Sequence, residues 1–200
     1  MLFRSTKQKI EEPTYWRDRR FARPEQPIVG VSWDDAMRFC AWISIASELQ
    51  TAGVTATLPT EAQWEFAARG KDRRKYPWGN EKPDATRAVF ARREGPARVG
   101  SCSAGRGPFG HLDLIGNVCQ WCRDGVSTES YEARVGKKPL DPLTPCADED
   151  RALRGSGWGE AQARAAAFRH DLWAWSRVDY GGFRVAAEPM RTGERTKSNV

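Results

Sequence analysis

The order of its segments restricts the fold of this chain more than any other feature. Two stretches with helix-start signals come before Gly70. About a hundred residues follow with many Gly, Pro and Asp and only short apolar runs. Ser32 reads as the N-cap of a helix over 33–49, with Asp34 and Asp35 placed to favour the positive end of the helix dipole. Ala36, Phe39, Cys40 and Ile43 recur at helical spacing and mark its buried face. Thr60 and Gln63 form a capping box for a second helix, which runs through Trp64 and Phe66 to Arg69 before Gly70 stops it. Residues 28–31 and 54–58 read as short strands. Helices first and irregular β afterwards predict an α+β domain rather than alternating βαβ units.

Two hundred residues suit one domain, which buries roughly 70% of its extended surface. Nine Trp and eight Phe supply bulk for the core. The net charge of +6 permits attraction to acidic partners, but the basic residues are interleaved with acids, as at 71–75. No basic stripe or reader motif is present, so no specific nucleic-acid site is expected. No apolar run approaches the ~18 residues that cross a bilayer. The first thirteen residues have no apolar core of a signal peptide. Five cysteines without regular spacing do not suggest a disulfide framework, and a cytoplasmic location is expected.

Four ordered motifs carry a resemblance. They are residues 27–36 (PIVGVSWDDA) with 40–42 (CAW), residues 58–70 (LPTEAQWEFAARG) with 76–79 (YPWG), residues 109–122 (FGHLDLIGNVCQWC), and residues 153–158 (LRGSGW) closing with 182–184 (GFR). Together they resemble the formylglycine-generating enzyme, or sulfatase-modifying factor, family. The resemblance implies a C-type-lectin-like fold, with two helices around a small twisted antiparallel sheet and much loop. Residues 1–26 are then an N-terminal arm, 27–188 the domain and 189–200 a disordered tail. Family members usually carry several strands ahead of the first motif. Either the arm replaces them, or the chain begins inside the usual domain.

Family chemistry is where the chain departs. The oxidases of this family hold copper on two thiolates in the segment that corresponds to 158–164, and this segment has no cysteine; the last one is Cys146. A soft Cu(I) ion needs such ligands, so that activity is not expected. An iron-dependent branch uses several histidines, whereas this chain has only His111 and His170. Cys119 and Cys122 form a CxxC, but no second pair completes a zinc site. An extended segment would also point the two thiols to opposite faces. For calcium, the resemblance implies a site at Asp113, Gly116, Val118 and Gln120, with Gln120 standing where the family has an acid. Any Ca2+ binding is expected to be weak. Gly155, Gly157, Gly181 and Gly182 are read as turn residues, Arg184 as one half of an ion pair, and Trp33, Trp64, Trp78, Trp121 and Trp158 as core.

The closing frame also resembles the variable proteins of diversity-generating retroelements, in which a fixed scaffold presents a rewritten C-terminal segment. That resemblance implies a ligand-binding face drawn from Gly157, Gly159, Glu160, Ala161, Ala163, Phe168, His170, Leu172, Trp173, Trp175, Arg177, Asp179 and Tyr180. Trp, Tyr and Arg on loops are typical of binding surfaces. The leading expectation is a non-catalytic binder of a protein or small-molecule ligand. The alternatives are an enzyme of the same family with altered chemistry, and an accessory domain whose partner docks on the arm.

Overall fold

A computed structural model of the chain describes residues 12–126, 142–145 and 150–190. Cys146, the first eleven residues of the arm and the tail beyond Met190 lie outside them. Both helices start at the expected N-caps, and the Ser32 cap is itself a capping box. Ser32 Oγ accepts the Asp35 N–H at 3.1 Å while the Asp35 carboxylate accepts the Ser32 N–H at 2.9 Å. This opens α1, Trp33–Ile43. Thr60 and Gln63 make the same reciprocal pair at the start of α3, Glu61–Arg69.

The helix expected to run to Leu49 breaks earlier. Ser44 Oγ donates back to the Cys40 carbonyl at 2.7 Å and accepts the Ala56 N–H at 2.8 Å. A serine that bonds its own preceding turn competes with helical continuation, and here it also ties the helix end to β1, Val54–Thr57. A separate short helix, α2, covers Ser47–Ala52 and ends on Gly53 at φ 66°.

Four further strands, β2 Cys119–Gly125, β3 Asp150–Arg154, β4 Arg169–Trp173 and β5 Gly181–Phe183, make one sheet in the order β4-β3-β2-β5. β3 is antiparallel to both neighbours, whereas β5 lies parallel to β2. The expected antiparallel sheet thus gains one parallel pair, because the chain leaves β4 and crosses two strands before it pairs again. β6, Ala186–Pro189, pairs antiparallel with β1, and its Pro189 partners Val54.

Alternation along the strands divides the core into two layers. Cys119, Trp121 and Leu153 pack with Ala36, Cys40 and Leu58 on the α1 side. Cys122 and Ala152 pack with Trp64, Ala68, Leu114 and Ile115 on the α3 side. Trp64 and Trp121 are fully buried, and each satisfies its indole N–H, Trp64 on Gln120 Oε1 and Trp121 on the Val31 carbonyl. A third cluster joins Phe21 and Tyr15 of the arm to Val29, Val118 and Trp158, so the described part of the arm is packed on the domain. Among the described residues no helix is long and apolar enough to cross a membrane.

Candidate functional site

Past the end of β3 the chain turns through Gly155 and Ser156 and meets the loop ahead of β5. Gly157 lies so close to Tyr180 that a Cβ there would come within 2.9 Å of the Tyr180 Cβ, so close approach rather than a turn requires glycine. Gly181 and Gly182 likewise lie inside β5 and not in turns. Glu160 is held from two sides. Its Oε1 accepts the Gly157 N–H at 2.9 Å and its Oε2 accepts Arg164 Nε at 2.8 Å. Trp158 donates its indole N–H to the Asp179 carbonyl at 3.1 Å and fixes the opposite wall.

The result is an open pocket of about 330 Å3. Gly157, Gly159, Glu160, His170, Asp179 and Tyr180 line it, all candidates from the sequence, and Trp158 and Arg164 complete it. Trp158 was read as core because it sits in a fold motif. Arg164 stands four residues after an acid, a spacing that could have drawn attention to it. Burial raises the Tyr180 hydroxyl pKa above its ordinary value, with smaller contributions from Cys119, Asp179 and Glu160.

Other candidates fall elsewhere. Ala163 is buried and Leu172 packs against the α1-side core, so neither faces a ligand. Ala161 is exposed. Phe168 lies edge-on to His170 at 4.7 Å, and Arg177 is held on Asp35 at 2.9 Å. Trp173 and Trp175 are 57% and 51% exposed and stack on each other at 5.3 Å. His170 and Trp173 are three apart on β4, so the pocket and the tryptophan pair lie on opposite faces of that strand. The expected single surface is two.

Three of the four groups assigned to calcium, the Asp113 carboxylate, the Val118 carbonyl and the Gln120 side chain, are already in use. Gln120 is buried, and its amide nitrogen donates to the Asp113 carbonyl at 2.7 Å and to the Val118 carbonyl at 3.3 Å. Arg184 Nε donates to Gln120 Oε1 at 2.5 Å, and its Nη2 to the Leu112 carbonyl at 3.0 Å. Arg184 thus binds an amide and carbonyls where an ion pair was expected. The Asp113 carboxylate accepts the Gly100 N–H at 2.6 Å. A hard cation would have to displace both amide bonds of Gln120. Gln120→Glu removes those two donors and adds a charge. We expect calcium to raise the melting temperature of Gln120→Glu and to leave the wild type unchanged, as measured by thermal unfolding with and without Ca2+. A comparable rise in the wild type would restore the calcium reading.

The thiols do not fit a two-thiolate copper site. Cys119 and Cys122 face different core layers, as the extended conformation of β2 requires, and among the described residues only Cys119 approaches the pocket. Cys122 is fully buried, and its thiol pKa is pushed well above the ordinary value by desolvation.

The Sulfatase-modifying factor enzyme 1-like domain family matches residues 4–189, and the chain belongs to that family. It is 30% identical over 185 residues to the formylglycine-generating enzyme of Thermomonospora curvata, covering 84% of this chain and 57% of that protein. It is 34% identical over 181 residues to the inactive C-alpha-formylglycine-generating enzyme 2 of Bos taurus, covering 82% and 50%. The chain thus spans a little over half the length of these relatives. In fold it is similar to Treponema denticola variable protein 1, with a TM-score of 0.66 at 23% identity over 84% of this chain and 73% of that one. The α+β architecture read from the sequence is that of this family.

Proposed function

We propose that this chain is a non-catalytic ligand-binding protein that presents residues 157–180 on a C-type-lectin-like scaffold, of the kind encoded by diversity-generating retroelements. The observation that carries this reading is the stacked, half-exposed pair Trp173 and Trp175, on a segment that has no thiolate pair. Large aromatics held rigid and left in water are inexpensive to desolvate and lose little entropy on binding. The fold likeness to a variable protein supports the same reading. A reducing compartment, the cytoplasm, suits the free thiols of Cys40, Cys102, Cys119 and Cys122.

Sequencing the DNA that flanks the coding region tests the proposal. The expected result is a reverse transcriptase together with a near-copy of the segment coding for 157–180 that differs at adenines. A locus with neither removes the retroelement reading. The second reading, an enzyme of the family with altered chemistry, draws on the pocket itself, where Glu160, His170 and Tyr180 converge. Aldehyde formed on a cysteine-containing sulfatase peptide in the presence of copper would favour it.

A further inference from the structure

Beneath the pocket three side chains of different chemistry meet. Cys119 Sγ at the start of β2, a carboxylate oxygen of Glu160 in the loop and an imidazole nitrogen of His170 on β4 all lie within 4.8 Å of one another. Cys119 is fully buried behind Glu160 and His170, which line the pocket. Strand alternation explains the meeting. Cys119 shares a face with Trp121, which is paired with Leu153, and Leu153 is in turn paired with His170.

One atom in this cluster is out of balance. His170 Nε2 is buried and has no hydrogen-bond partner among the described residues. It faces Glu160 Oε1 at 3.6 Å, beyond hydrogen-bond range. Leaving such an atom unsatisfied is costly, and an ion is one of the few things that explains it.

We infer that Cys119, Glu160 and His170 form a three-ligand site for a borderline divalent cation of the zinc class, with a fourth position open to the pocket. Sulfur, nitrogen and one carboxylate oxygen suit zinc or cobalt(II) better than calcium or magnesium. A single thiolate argues against Cu(I). Three protein ligands with one position left for water or a ligand atom is the pattern of an open zinc site. A dication, a thiolate, a carboxylate and a neutral imidazole sum to zero, with the half-exposed Arg164 beside Glu160 as an outer cation. Metal uptake replaces the Cys119 thiol proton, which leaves to solvent. Zinc–ligand bonds of about 2.0–2.3 Å put tetrahedral ligands roughly 3.3–3.8 Å apart. The cluster therefore has to contract by about 1 Å, and Glu160 has to exchange its bond to the Gly157 N–H for the ion while it keeps Arg164. The site stands apart from the tryptophan pair on the other face of β4 and does not depend on what that pair binds.

The test uses the full chain with any affinity tag removed, stripped by chelator and titrated with Co2+ followed by Zn2+. We expect one equivalent of Co2+ to bind with a near-ultraviolet thiolate-to-cobalt band and tetrahedral visible bands, which Zn2+ then bleaches. Glu160→Gln and His170→Asn each weaken binding by about tenfold or more. Cys119→Ser removes the thiolate band, and His111→Asn leaves it unchanged. Circular dichroism of Glu160→Gln and His170→Asn, whose side chains line the pocket, shows that the fold survives even if Cys119→Ser does not fold. Absence of a thiolate band at one equivalent overturns the inference. So does a band of undiminished affinity in both Glu160→Gln and His170→Asn, since the thiolate ligand would then lie elsewhere.

Discussion

Arg154→Ala is expected to cost about 3 kcal/mol or more of folding stability, at about 1–3 kcal/mol for each buried carbonyl left without its donor. Arg154 is 1% exposed and reaches in three directions. Its Nη1 donates to the carbonyls of Ala167 and Phe168 at 3.0 and 2.6 Å, its Nη2 pairs with Glu65, and its guanidinium lies 5.1 Å from the centre of the Trp64 ring. The acids are not left bare on removal: Glu61 keeps its two bonds to Arg169, and Glu65 keeps Arg69. What alanine leaves unmatched is the pair of carbonyls and the space above Trp64. Those carbonyls lead directly into β4, so the same substitution should loosen the strand that carries His170 and Trp173. Urea unfolding reads the effect as a lower midpoint. Arg154→Lys should recover the charge but not the fork, and fall between. A loss below about 1 kcal/mol for alanine would show that the network does not hold β4.

Local rules made part of this architecture legible and left the rest silent. An N-cap serine followed by acids and a capping box are both signals of a few residues, so both helix starts could be placed from the sequence. The extended segment that the resemblance implies likewise separates Cys119 from Cys122. Ser44 was different. Its hydroxyl breaks α1 only because Ala56, twelve residues on, offers an N–H, and no window along the chain contains that pairing. The reuse of the calcium-type oxygens by Gln120 and Arg184 joins residues 64 positions apart. The substitution at Gln120 was visible, but the guanidinium that accompanies it was not. For the pocket, the resemblance supplied the segment 157–180 and so most of the lining. It could not supply Cys119 behind that lining, because Cys119 reaches His170 through a strand register that only the folded sheet defines.

Trp173→Ala and Trp175→Ala are each expected to weaken ligand binding by about 2 kcal/mol or more, roughly 30-fold, if the pair is the centre of the recognition face. The two rings are already stacked on each other and stand in water on the side of β4 away from the pocket. A partner therefore gains apolar burial without ordering the rings first. Because both are more than half exposed, the fold should tolerate their loss, with thermal unfolding little changed. Peptides selected by display against the whole chain are a suitable probe, with affinities measured by calorimetry for the wild type and each variant. The chain supplies its own control. Phe39 and Trp42 on α1 are 42% and 65% exposed and form a second aromatic patch with Phe183. Exposure alone does not distinguish the two patches. If Trp42→Ala weakens the selected peptides while the β4 pair can be removed without effect, recognition belongs to the helix face and the displayed segment loses its role. The opposite result, a loss confined to Trp173 and Trp175, places recognition on the segment that follows β3, where a rigid sheet tolerates change in the side chains it presents.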